Sequence, residues 1–174
     1  MTENRMNDSV DKNSITINAY YNTGKQRILA LWLVLWSLAG FAIITQLFLP
    51  MEDGMFTYFV VYIAFWVYFE YKVIYAFRWR KYGQEIISVE GDSLALENRI
   101  SGRGIPLKFE LEFVKNPRPV EVSETSFWHS MNQAYWNIGQ ESLVFDYKGK
   151  EIYFGRELND SEQKRILKFI QELT

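Results

Sequence analysis

The sequence predicts an α+β membrane protein: an N-terminal transmembrane helical hairpin, then a small antiparallel β-barrel or sandwich capped by a C-terminal helix. Three observations predict it. Residues 28–49, "ILALWLVLWSLAGFAIITQLFL", are 22 positions without a charge. At about 1.5 Å rise per residue they span roughly 33 Å, enough for a hydrocarbon core of about 30 Å. Residues 54–69, "GMFTYFVVYIAFWVYF", form a second charge-free run. After Gly83 the chain changes to short alternating segments separated by turn residues, the pattern of antiparallel strands.

The chain divides into a polar segment over 1–24, a hairpin over 25–82 with spans at about 28–49 and 56–77, and a domain over 83–174. Residues 1–24 leave two readings open, a disordered tail or an added edge strand built on "SITINAYYN". The first apolar run is too long for the roughly 7–15-residue core of a signal sequence, and no small-residue cleavage site follows it. The second run reaches spanning length only if the helix continues through Glu70 and Lys72 to about Phe77. Lys25 and Arg27 precede the first helix, and Arg78, Arg80 and Lys81 follow the second. The loop between carries Glu52 and Asp53 and no positive residue. An excess of Lys and Arg on the cytoplasmic side places both termini in the cytoplasm.

In the domain, "EIISVEGDSLALENRI" reads as two strands joined at Gly91-Asp92. "IPLKFELEF" reads as one strand with Ile105, Leu107, Phe109, Leu111 and Phe113 on its dry face. "SLVFDYKGKEIYFG" is a hairpin turning at Lys148-Gly149, a pair suited to positive φ. The last stretch, "NDSEQKRILKFIQEL", carries two capping-box registers, Asp160 with Gln163 or Asn159 with Glu162. Ile166, Phe169, Ile170 and Leu173 form one apolar stripe suited to plugging the barrel mouth.

The basic-aromatic exit "RWRKYGQEII" and the stretch "FDYKGKEIYFGRELNDSEQKRIL" resemble a bacterial group of small membrane proteins that carry a pleckstrin-homology-like domain after a helical hairpin. The resemblance covers most of residues 28–174 and is strongest over 139–170. It implies seven strands with a C-terminal helix and a place in the inner membrane, and it implies no activity.

Catalysis and metal binding are poorly supported. There is no cysteine, the single histidine is His129 in "SFWHSMN", and no motif positions a serine nucleophile. No cofactor is expected. Residues 82–174 hold 11 Lys plus Arg against 15 Asp plus Glu, a net of −4, which argues against nucleic acid as a partner. A local set of candidate headgroup contacts remains: Arg78, Arg80 and Lys81 at the helix exit, with Arg99, Arg103 and Lys108 near one barrel rim. Anionic lipid is the partner they suit. Phe127, Trp128, Met131, Tyr135 and Trp136 crowd residue types favoured at interfaces into one segment. They read as a candidate partner surface or membrane contact, or as plain core.

Glu70 raises the sharpest question within the hairpin. Counted from a helix end near Arg78 it lies eight residues in, roughly 12 Å along the axis. On the antiparallel first helix the matching depth falls at Trp36 and Ser37, both donors, while Lys72 can snorkel to the headgroups. Glu70 is therefore expected to face the bundle, protonated or hydrogen-bonded, and to fix helix pairing. The functional expectation is a non-enzymatic accessory, scaffolding or assembly subunit working with another membrane protein or as a homo-oligomer. A self-contained sensor of lipid headgroups or a small ligand is the alternative.

Overall fold

The computed structural model describes residues 6–8, 13–50, 54–120, 135 and 137–172. In chain order these form β1 (Met6–Asp8), β2 (Ser14–Asn18), α1 (Thr23–Gln46), α2 (Met55–Tyr82), β3 (Gly83–Glu90), β4 (Ser93–Ile100), β5 (Pro106–Glu110), a 3-10 turn (Leu111–Phe113), β6 (Val114–Pro119), β7 (Glu141–Tyr147), β8 (Lys150–Arg156) and α3 (Asp160–Gln171). The protein is α+β, with two long apolar helices and two antiparallel sheets. One sheet runs β1-β2-β3-β4-β5 and the other β6-β7-β8.

Both helices depart from the predicted bounds for local reasons. The side chain of Asn22 accepts from the Lys25 N–H at 2.9 Å, so α1 starts five residues before the apolar run. α2 continues through the basic exit to Tyr82 and passes into β3 without a linker. The segment before α1 is part of the domain: β2 pairs antiparallel with β3, from Ser14 opposite Ser88 to Asn18 opposite Gln84, and β1 lies outside it.

Turn chemistry places the two domain hairpins where the sequence predicts them. β3 and β4 join at Gly91-Asp92. β7 and β8 join at Lys148 (φ 47°) and Gly149 (φ 80°), two successive positive-φ residues that match strand twist. The continuous strand expected from Ile105 to Phe113 is a correction. β5 ends at Glu110, Leu111–Phe113 form the 3-10 turn, and Ile105 and Leu107 are exposed at 83% and 60%. Of the alternating set Phe109 is buried in the core, with its ring edge-to-face on Phe145 and Tyr147 of the facing sheet, and Leu111 packs against that core half-buried.

Of the two expected arrangements, barrel or sandwich, the barrel is corrected: among the described residues the strands form two sheets and do not close. The 3-10 turn carries the chain from one sheet to the other, and α3 fills the opening between them. Asn159 caps α3 in a reciprocal box with Glu162, the second of the two predicted registers. Ile166 and Ile170 are fully buried, each burial contributing about 1.5–3 kcal/mol. Leu173 lies outside the described residues.

A side chain bridges the two sheets elsewhere. Glu85 of β3, 4% exposed, accepts the backbone N–H groups of Gly155 (2.8 Å) and Arg156 (2.9 Å) from β8. Gly155 sits at φ 73°, and a Cβ there would lie 2.5 Å from Leu158 Cδ1. Burial pushes the Glu85 carboxyl above its ordinary value of 4.5, against the pull of those two N–H groups and the nearby Arg156 charge. The folded state therefore holds the proton to higher pH than the unfolded chain does. The stabilisation is complete below about pH 4.5 and declines as pH rises through the folded value. Glu85→Gln turns an amide N–H2 toward a backbone donor and is expected to cost about 1–3 kcal/mol. Thermal unfolding in detergent should show the gap between wild type and variant narrowing from pH 4.5 to neutrality; a widening gap would refute this account.

Candidate functional site

The polar groups expected inside the hairpin meet. Ser37 Oγ lies 2.6 Å from Glu70 Oε1 and 2.8 Å from the carbonyl of Leu33 one turn back. A hydroxyl has one proton, so Ser37 donates to one of these acceptors at a time. Trp36 takes a different part from that expected: its carbonyl accepts from Trp66 Nε1 at 3.2 Å. Trp36 Nε1 and Glu70 Oε2 are buried without a hydrogen-bond partner among the described residues. One turn beyond Ser37, Gly40 gives α2 room for close approach; a Cβ there would lie 1.9 Å from the Trp66 ring.

Glu70→Gln keeps an oxygen to accept from Ser37 and gains an N–H2 that can donate to Oγ, so it is expected to be nearly silent. Glu70→Leu removes the contact and should weaken pairing by about 0.6–2 kcal/mol. Thermal stability in micelles distinguishes the two, and an equal loss in both variants would overturn the pairing role.

The second polar cluster lies where the helices leave the domain. Arg80, expected among the headgroup contacts, is a correction: it is 3% exposed and paired inward. Nη1 and Nη2 both reach the carboxylate of Glu157, Nη2 donates to the Asn137 carbonyl (2.8 Å), and Nε donates to the Tyr135 carbonyl (3.3 Å). The guanidinium also stacks over the Tyr135 ring at 5.0 Å. The Tyr135 hydroxyl in turn donates to Gln26 Oε1 at 2.8 Å, and Gln26 Nε2 donates to the Phe77 carbonyl at 3.0 Å. Burial pushes the Tyr135 phenol up, so it remains a donor through the neutral range. This network ties α1, α2, residue 135 and the turn after β8 into one unit. Arg156 adds to it, its guanidinium 5.2 Å from the Trp79 ring and paired with Glu141 at 3.2 Å.

From Lys72 onward one face of α2 meets the domain: Lys72, Tyr75 and Ala76 line a 260 Å³ cleft with residues 137–141, and Trp79 and Arg80 are covered. The stretch of α2 clear of the domain ends near Lys72, two residues beyond Glu70.

The remaining basic residues do not form one cluster. Arg78 and Lys81 are exposed at the helix exit, and Lys81 lies 5.0 Å from the Tyr82 ring. Arg99 pairs with Glu97 at 2.6 Å, and Arg103 bridges to Ile100 beside the exit, where Ser101 N–H donates to the Tyr82 carbonyl at 3.1 Å. Lys108 is separate, paired with Glu90 at the opposite end of β3 at 2.6 Å, which corrects its placement with the other two. Of the candidate partner surface only Tyr135 is described, and it is half-buried in the junction; Phe127, Trp128, Met131 and Trp136 lie outside the described residues. Sequence reasoning missed Glu157 and Gln26. Glu157 is 77 positions from Arg80, and no local pattern marks either residue. Comparison with family models, with curated proteins and with solved structures finds no match.

Proposed function

We propose that this protein is a non-enzymatic, multi-pass protein of a bacterial inner membrane, with both termini cytoplasmic, acting as an accessory, scaffolding or assembly subunit of a membrane complex. The observation that carries the subunit reading is the junction itself. Only four residues, 19–22, separate β2 from α1, and none separates α2 from β3. Arg80, Glu157, Tyr135 and Gln26 lock the crossing. Relative motion between neighbouring units is the default unless an interface locks them, and a subunit that must meet its partner in register gains from a fixed domain.

Membrane insertion is supported by two helices long and apolar enough to cross, with large side chains such as Ile28, Leu38, Phe41, Phe56 and Phe65 exposed. Soluble monomers seldom expose apolar patches larger than a few hundred Å². Lys25, Arg27, Arg78 and Lys81 at the domain end favour a cytoplasmic domain. Two sheets around one core, with α3 between them, agree with a pleckstrin-homology-like domain in which a strand from before the hairpin joins the sheet.

Extraction of the tagged protein from its native membrane in mild detergent, followed by native mass spectrometry, tests the reading. Stoichiometric association with another integral membrane protein is expected. A chain recovered alone, or only with itself, would sink the subunit role and favour the headgroup sensor.

A further inference from the structure

We propose that the groove between α1 and α2 on the domain side holds one acyl chain of an anionic phospholipid, with its phosphate at Lys25. The inference rests on the membrane reading above. The groove has a volume of about 610 Å³ and is walled by Lys25, Ile28, Trp32 and Trp36 of α1, Phe69 of α2, and Tyr135 at its roof. The lining is almost wholly apolar between Lys25 and Tyr135 at the mouth and Trp36 at the inner end.

Three features point to this occupant. The α1 wall follows one helix face from Lys25 to Trp36, eleven residues or roughly 16 Å, which is about half of a 30 Å hydrocarbon core and so the depth of one leaflet. The inner end is closed where the helices come together at Gly40 and Trp66, so the groove admits a chain from the domain side and does not continue into the far leaflet. Lys25 is exposed at the mouth, and no described acidic side chain pairs with it. The Tyr135 hydroxyl proton is engaged by Gln26, and Lys25 is the charged residue in the lining, so its ammonium is the group that meets a phosphate. A second helix would require the groove to stay open past Trp36 and would gain nothing from a charged mouth.

The test uses the purified full chain, exchanged into detergent with equal concentrations of phosphatidylglycerol and phosphatidylcholine and examined by native mass spectrometry. One retained phosphatidylglycerol per chain is expected, preferred about fivefold as suits one lysine at an anionic headgroup. Lys25→Glu should erase the preference. Ile28→Trp fills the groove from a wall position that is 71% exposed and so leaves the core intact; it should lower retention of both lipids. Equal retention of the two lipids by wild type, or variants that behave as wild type, would overturn the proposal. So would a photoreactive residue at position 28 that crosslinks to protein instead of lipid. Release of the chain from membranes by alkaline washing would defeat the membrane reading itself. A chain that resists washing yet retains no lipid defeats only the groove.

Discussion

Glu157→Ala is expected to uncouple the hairpin from the β domain at a cost of roughly 3–5 kcal/mol, the range for removing one partner of a buried ion pair. The asymmetry of the pair gives the prediction its content. The Arg80 side chain is 2% exposed and that of Glu157 26%. Removing the carboxylate therefore leaves a buried guanidinium without its counter-charge, with two carbonyls and a ring face as its remaining partners. Removing the arginine leaves a carboxylate that solvent already reaches. Arg80→Met, which keeps most of the aliphatic volume, should cost clearly less. Glu157 also sits at φ 52°, a region asparagine tolerates better than alanine. Glu157→Asn therefore separates loss of the charge from backbone strain and should retain most of the Glu157→Ala effect. Thermal unfolding of the full chain in detergent gives the magnitudes, and limited proteolysis near the Tyr82–Gly83 junction reports the uncoupling. Equal, small effects from Glu157→Asn and Arg80→Met would mean that packing alone holds the junction.

What the sequence made legible follows how local each determinant is. The hairpin could be read because a charge-free run needs no partner to be recognised. The two domain hairpins could be read because Gly91 and Lys148-Gly149 set their turns from within. Pairing of Ser37 with Glu70 came from counting depth along two antiparallel helices, a geometric relation that survives shifted helix ends. β5 misled because strict alternation from Ile105 to Phe113 cannot reveal a corner: the 3-10 turn at Leu111–Phe113 arises from the chain changing sheets. β2 is not fixed by its own sequence, since its partner strand follows some 65 residues later across both helices. Arg80 departs from expectation for a similar reason. An arginine just past an apolar helix is ordinarily a headgroup contact, and only the fold brings Glu157 to it.

Gly40→Val is expected to force the helices apart, at roughly 3 kcal/mol once overpacking and the lost Ser37–Glu70 contact are combined. A Cβ at position 40 would lie 1.9, 2.1 and 2.4 Å from Cε2, Cζ2 and Nε1 of Trp66, too near for a small adjustment to relieve. Trp66 cannot simply swing aside. The residue is 7% exposed, its Nε1 donates to the Trp36 carbonyl, and Phe41 packs edge-on at 6.2 Å. Separation at this level also draws Ser37 from Glu70 one turn away, because the two contacts share the same helix face. Gly40→Ala should show a reduced form of the same defect. Trp66→Leu should recover part of the Gly40→Val loss, so the double variant is expected to be more stable than the sum of the single effects. The domain should keep its own unfolding transition, since neither residue touches it. Strict additivity in that cycle, or Gly40→Val at wild-type stability, would show that the hairpin is held by the domain junction and not by contact between its helices.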